Sequence, residues 1–408
     1  MKIKLKLWQK VIIGMILGIL FSVFCKDYAQ HLQPFGEVFL NMIKMVVVPL
    51  ILFSILNGVT NVSDASTFGR LGTRAFLIYM FTTAFAVTIG LTFANIFEPG
   101  LGLTIDLTNP TEHQQNKSLK DLFVNIIPSN PIKAMADGRT LQIVVFAFFT
   151  GFALILIGDK GREVKNFITS CTHLVFKMIQ LVIQLTPYGV FAIMSWVVAD
   201  YGIEVMLHLG KFILVVLGAL FIQYILFGVM LLVIARVNPF PFYSKMLTTQ
   251  ALALATSSSK ATLPTAISEL RNKVGVSKGS ASFILPLGAA VNMDATAIYL
   301  GICAVFFAQI FGINLDFNHY IILILTATIG SIGAAGFPGG SMVMMGMVLS
   351  SVGLPLEGIG VILGIDRLLE MVRTMINITG DCTVTLIVDK MEGTFNKKTY
   401  YSKIKDPK

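Results

Sequence analysis

Asp366-Arg367-Leu368-Leu369-Glu370-Met371-Val372-Arg373-Thr374-Met375-Ile376-Asn377-Ile378-Thr379-Gly380-Asp381 sets charged and amide side chains into the middle of an apolar segment. Asp366, Glu370, Arg373, Asn377 and Asp381 are spaced by four, three, four and four residues. At about 100° per residue they fall within an arc of roughly 80° on one helix face. The flanks, Val361-Ile362-Leu363-Gly364-Ile365 and Leu386-Ile387-Val388, are too apolar for an exposed salt-bridge face. Inside a bilayer each ionised group costs roughly 2.5–3.5 kcal/mol on insertion scales, so such groups face a protein cavity and serve function. The rest of the chain has to supply what surrounds this stripe.

Composition names the solvent. The 408 residues are 55% hydrophobic and 13% charged, with a mean hydropathy of +0.78, whereas soluble chains carry about 25% charged residues. The fold class expected is an all-α polytopic membrane protein. The net charge of +9 gathers at segment ends, where Lys and Arg orient a membrane protein. No basic patch with interleaved aromatics suggests a nucleic-acid partner. Cys25, Cys171, Cys303 and Cys382 are scattered without C-x-x-C spacing and read as small apolar residues, not as metal ligands or disulfides. The five histidines show no ligand spacing. The basic N-terminus runs into Val11–Cys25 with no small-residue cleavage pattern after it, which reads as a retained first helix and not a signal peptide.

Six apolar segments precede the unusual part of the chain: about Leu7–Cys25, Phe39–Val62, Ala75–Ile96, Leu141–Ile157, Phe167–Val198 and Phe212–Ala235. Each is long enough to span about 30 Å of hydrocarbon. The polar stretch Glu98 to Arg139 is the long loop. Beyond them the pattern breaks. Met246–Ser268 is interrupted by Thr256-Ser257-Ser258-Ser259-Lys260, with Pro264 following, and Ala281–Ile313 carries Asn292-Met293-Asp294-Ala295-Thr296. Ile321–Leu356 is too long for one span and reads Gly336-Phe337-Pro338-Gly339-Gly340-Ser341 at its middle. Serine runs and prolines free backbone groups from the helix ladder. Placing Arg271, Lys273 and Lys278 on the basic, cytoplasmic side with both termini favours re-entrant hairpins at the Ser257 and Gly336 tips.

Paired broken segments point to a transporter's midplane site. Their half-helix N-termini can meet a carboxylate, and their freed carbonyls can ligate a hard cation. Asn292, Asp294 and Asp381, with Thr82 and Thr83 of the third segment, are oxygen donors suited to Na⁺. The alternative for each threonine is back-bonding to its own helix. Counting Asp294, Asp366, Glu370 and Asp381 against Arg373 leaves excess negative charge in a low-dielectric interior, so protons or bound cations must balance it. Arg373 has two readings: a structural partner for its neighbours, or a planar fork for a substrate carboxylate.

With Ile43-Lys44-Met45-Val46-Val47-Val48-Pro49-Leu50, the serine tip, Asn292–Thr296, the Gly-Phe-Pro-Gly tip and the stripe in this order, the chain resembles the dicarboxylate/amino acid:cation symporter family, which includes the glutamate transporters. The resemblance covers nearly the whole chain. It implies a homotrimer of protomers with eight transmembrane helices, two re-entrant hairpins and inverted repeats, working as an elevator. The domains implied are residues 1–70 (scaffold helices 1 and 2), 71–98 (transport-domain helix 3), 99–140 (extracytoplasmic loop), 141–200 (scaffold helices 4 and 5), 201–392 (the remaining transport domain) and 393–408 (basic cytoplasmic tail). It places the protein in the plasma or inner membrane, multi-pass, with no organic cofactor and no enzymatic activity.

Carried over residue by residue, the resemblance assigns Arg373 to the substrate's side-chain carboxylate, supported by Thr296. Asn377 and the tip around Ser258 and Ser259 take the α-carboxylate, and Thr374 and Glu370 the surroundings of the amino group. Met293 lines the substrate site, and Gly336, Phe337 and Ser341 close over it. Asp381 with Gly288, Asn292 and Asn377 resembles one sodium site. Tyr79, Thr82, Thr83, Asn292 and Asp294 resemble a second, and Ser331, Ile332, Ala334 and Ala290 a third. Three positions depart from the family: Glu370 stands where an aspartate is usual, Lys260 where Ser or Glu is common, and Ala295 where Gly is usual. The function implied is sodium-coupled uptake of glutamate or aspartate, since proton-coupled relatives tend to have Asn at the position of Asp381. The alternatives are a C4-dicarboxylate or proton-coupled glutamate symporter and, in a different class, a gated channel.

Overall fold

The computed structural model describes residues 7–60, 65–103, 127–331, 340–356 and 359–402, and no strand occurs among them. The helices are α1 (Leu7–Phe24), α2 (Lys26–Gln30), α3 (Gln33–Thr60), α4 (Ala65–Phe97), α5 (Pro131–Ala136), α6 (Thr140–Ile157), α7 (Arg162–Gln184), α8 (Thr186–Tyr201), α9 (Val205–Val233) and α10 (Pro239–Lys245). They continue with α11 (Leu247–Thr256), α12 (Ser259–Glu269), α13 (Lys278–Val291), α14 (Asp294–Ile310), α15 (Phe317–Ser331), α16 (Gly340–Ser351), α17 (Ile359–Met391) and α18 (Lys397–Tyr401). By length and composition, Leu71–Phe97, Gln142–Val182, Val205–Val233 and Lys278–Ile310 each suffice to cross a membrane.

Breaks fall where the sequence weakens the ladder. The apolar run Phe167–Val198, expected as one segment, divides at Leu185 into α7 and α8, because Pro187 takes the N-terminal end of the second helix, where its missing N–H has no partner to lose. Ser257 ends α11 in the left-handed region (φ 51°, ψ 34°), and Ser258 then caps α12 by accepting from the Ala261 N–H at 3.3 Å. The two halves pack against each other as a helical hairpin. Asn292 and Met293 are non-helical between α13 and α14. Residues 332–339, with Ile332, Ala334, Gly336 and Phe337, lie outside the described residues, as do 104–126 of the expected loop and 403–408 of the tail.

Two groups of helices emerge from the packing. In one, α1 lies along α8, and α3 packs on α6, α7 and α8. In the other, α17 is surrounded by α9, α11, α13 and α14, while α4 packs on α13, α14 and α15. The groups meet where α17 touches α1 and α8, and where α16 touches α3 and α6. Every residue of α14 except Gln309 is buried inside the protein, as expected for a helix that is apolar nearly all round. A Cβ on Gly90 would lie 2.9 Å from the Ile298 carbonyl carbon, so α4 and α14 meet backbone to backbone there. By contrast, Leu77, Phe81, Leu214 and Phe221 present large exposed apolar side chains, suiting them to lipid.

At one end of the second group, α18 is tied back to the base of the hairpin. Lys245 donates to the carbonyls of Lys273, Thr399 and Tyr400 at 2.9, 2.8 and 2.7 Å, and Asn396 N–H donates to Gly275 O at 2.8 Å. Lys245 is 4% exposed, and burial lowers the pKa of its ammonium. Replacing it by Met leaves three carbonyls without their donor, and such losses cost on the order of 2–4 kcal/mol together. Lys245→Met is expected to lower the unfolding temperature in detergent. An unchanged midpoint would show that the tail does not hold the hairpin base.

Candidate functional site

The stripe becomes one face of α17 and is buried along its length: Asp366, Glu370, Arg373, Asn377 and Asp381 are each 7% exposed or less. Its outer turns hold two ion pairs. Arg373 Nη2 donates to Asp366 Oδ1 at 2.8 Å and to Ser341 Oγ at 3.0 Å, joining α17 to the start of α16. Arg367 Nη1 donates to Glu370 Oε2 at 2.5 Å. The Arg373 guanidinium also lies over the Tyr299 ring, 3.8 Å from its centroid, a favourable arrangement for a desolvated cation. Its Nε and Nη1 are buried without a hydrogen-bond partner among the described residues. A planar fork with two uncommitted donors in a dry site is suited to a carboxylate.

The inner turns of α17 lack such cations. Among the described residues no Lys, Arg or His forms an ion pair with Asp294 or Asp381, both 0% exposed. Asp294 Oδ1 accepts from Thr83 Oγ1 at 2.9 Å and Thr82 Oγ1 at 3.3 Å, and its Oδ2 from Gln223 Nε2 at 3.4 Å. Thr83 Oγ1 also lies 3.1 Å from Asn292 Oδ1. Asn292 donates its Nδ2 to Asp381 Oδ1 at 3.0 Å, so its amide and the Thr83 hydroxyl together link the two carboxylates. Asp381 Oδ2 is buried with no hydrogen-bond partner among the described residues. A carboxylate oxygen left so is costly unless a cation or proton completes it.

Backbone geometry serves the same cluster. The break before α14 brings Ala295 N–H to Asn377 Oδ1 at 2.8 Å, and Asn377 Nδ2 reaches Thr296 Oγ1 at 3.3 Å. A Cβ on Gly288 would fall 2.5 Å from Tyr79 Oη and 2.8 Å from Asp381 Oδ1. Only glycine leaves that space open beside the carboxylate. Tyr79 Oη itself donates to the Ile284 carbonyl at 3.2 Å.

Other expected residues are placed differently. Ser258 is engaged in capping α12 and Thr374 Oγ1 in donating to the Glu370 carbonyl at 2.8 Å. Ser259 and Met293 are buried, and Ala290 packs on the main core. Lys260 projects from the serine tip to the Phe176 ring, 5.6 Å from the centroid. Ser331 ends α15, while Ile332, Ala334, Gly336 and Phe337 lie outside the described residues. Three site residues escaped the sequence reading. Gln223 sits in a segment notable only for lacking charge, and Tyr299 in an unbroken apolar run. Arg367 lies off the 80° arc of the stripe, and only a count of every ionisable group on the helix finds it.

The chain as a whole is similar to known proteins. A model of the sodium:dicarboxylate symporter family matches residues 7–391. A proton/sodium-glutamate symport protein of Bacillus subtilis is 35% identical, with 97% of this chain and 95% of the relative covered. Its counterpart in Geobacillus stearothermophilus is 34% identical over 96% and 95% of the two chains. A C4-dicarboxylate transport protein of Erwinia tasmaniensis is 32% identical over 96% and 94%.

The ion pair beneath the fork is open to a direct test. Arg373→Ala leaves Asp366 buried without its cation, a loss of about 3–5 kcal/mol. Adding Asp366→Asn should recover at least half of it in the thermal stability of the purified protein. Purely additive losses would show that the two side chains do not depend on each other.

Proposed function

The chain belongs to the sodium:dicarboxylate symporter family, and from that premise we propose that it is a sodium-coupled symporter taking up an acidic amino acid, glutamate or aspartate. It is a membrane transporter and not an enzyme. The observation that carries the coupling is Asp381 Oδ2, buried and without a partner beside Asn292 and the open face of Gly288. Crossing a low-dielectric barrier with Asp294 and Asp381 both ionised and uncompensated is prohibitive. Cations that neutralise them permit the movement, and this makes transport conditional on ion binding.

In this reading Arg373 takes the substrate's side-chain carboxylate through its free Nε and Nη1, while Asp366 and Tyr299 hold the guanidinium in place. Asn377, Thr296, Met293, Thr374 and the Ser258–Ser259 tip line the rest of the substrate, and Glu370 faces the amino group. Asp381, Asn292, Asn377 and Gly288 surround one sodium. Tyr79, Thr82, Thr83, Asn292 and Asp294 surround another, and Ala290 with the end of α15 a third. The group built on α17 moves as the transport domain against the group built on α3, within a homotrimer of eight-span protomers with two hairpins. Both termini face the cytoplasm. The names of the glutamate-symport relatives support the substrate class, and those names cite proton as well as sodium.

A second reading, C4-dicarboxylate symport, is favoured by one observation: Glu370 is already engaged by Arg367. Proteoliposomes separate the two. An inward sodium gradient should drive uptake of radiolabelled glutamate or aspartate, and replacing sodium by choline at fixed pH should abolish it. Succinate uptake alone selects the second reading, and undiminished uptake in choline contradicts sodium coupling.

A further inference from the structure

Beside the proposed substrate fork, α17 carries a cation to which no role above gives a purpose. Arg367 reaches Glu370 across one turn, and the two side chains are 21% and 9% exposed. The Arg367 Nε is buried without a hydrogen-bond partner among the described residues, so the guanidinium is drawn in toward Glu370 at the expense of its own hydration. Asp366 is held by Arg373 at 2.8 Å. Each acid on this part of α17 therefore has a guanidinium of its own, and Glu370 does not present a bare negative charge to the site.

In the reading above, a substrate held at Arg373 by its side-chain carboxylate turns any amino group on its α-carbon, two carbons from that carboxylate in aspartate, toward Glu370, three residues away on the same face. There it meets a carboxylate that a fixed cation has already neutralised. A second cation gains less from such a carboxylate, and a buried site screens the two positive charges from each other poorly. A dicarboxylate without an amino group loses nothing by this arrangement.

We propose that Arg367 is a specificity-determining residue: by occupying Glu370 it disfavours substrates that carry an ammonium group relative to dicarboxylates of the same length. The inference rests on the reading of this α17 face as the substrate site and adds to it what sets the balance between amino acid and dicarboxylate. Arg367 makes no contact with substrate in this account. It acts through Glu370.

The test is the ratio of aspartate to succinate affinity, two four-carbon acids differing by the amino group, measured by displacement of radiolabelled succinate from the purified full-length protein in sodium. Arg367→Gln should raise the ratio in favour of aspartate by roughly tenfold, the equivalent of one charge-assisted hydrogen bond. Arg367→Lys, which keeps the cation, should stay near the wild-type ratio, and in a Glu370→Gln background Arg367→Gln should produce no shift. If Arg367→Gln is not recovered folded, Arg367→Met carries the same expectation. An unchanged ratio, or a gain that persists without Glu370, overturns the proposal. A fall in the ratio does so too, since it would mean that Arg367 orients Glu370 for the amine. Failure of the wild type to bind either acid removes the substrate reading and this inference together, whereas binding with no shift removes this inference alone.

Discussion

Two buried carboxylates with which no Lys, Arg or His among the described residues forms an ion pair set the terms for the rest of this structure. Asp294 receives hydroxyls and an amide, and Asp381 a single amide. Neutral donors soften the desolvation of an anion but do not balance its charge. The N-terminal half of α17 shows the contrast, because there Asp366 and Glu370 each have an arginine within hydrogen-bonding distance. The charge left over is concentrated at one depth, around Asn292, and the proposed coupling of ion to substrate depends on that.

The helix breaks make this cluster possible. An unbroken helix through Asn292 and Met293 would keep its amides for its own ladder, and Ala295 N–H would be unavailable to Asn377. Gly288 removes the one Cβ that would fill the space between Tyr79 and Asp381. The close meeting of α4 and α14 at Gly90 brings Thr82 and Thr83 to Asp294. Small residues and interrupted helices, each costly alone, converge on a single buried group of oxygen atoms.

Much of this was legible in the sequence, and the omissions have physical causes. The stripe on α17 could be read because charge inside an apolar run is costly and helical spacing assigns it to one face. The Ser257 and Asn292 interruptions could be read because serine, asparagine and proline compete with helix hydrogen bonds. The division of Phe167–Val198 at Pro187 is hidden in the sequence because the apolar residues continue on both sides of the proline. Gln223 and Tyr299 carry no charge and stand alone in apolar helices, so only their distance to Asp294 and Arg373 reveals them. Arg367 was visible but lies off the arc, and its side chain is long enough to reach back to it.

The central claim, that Asp381 and Asp294 form a cation site, can be tested without transport. The thermal midpoint of the purified protein should rise with sodium concentration at constant ionic strength, choline replacing sodium, because a ligand bound to the folded state stabilises it by mass action. In Asp381→Asn, where the unpartnered oxygen is gone and the charge with it, the sodium-dependent part of that rise should be lost or sharply reduced. A wild-type midpoint indifferent to sodium, or an Asp381→Asn protein with the full sodium response, would contradict the account.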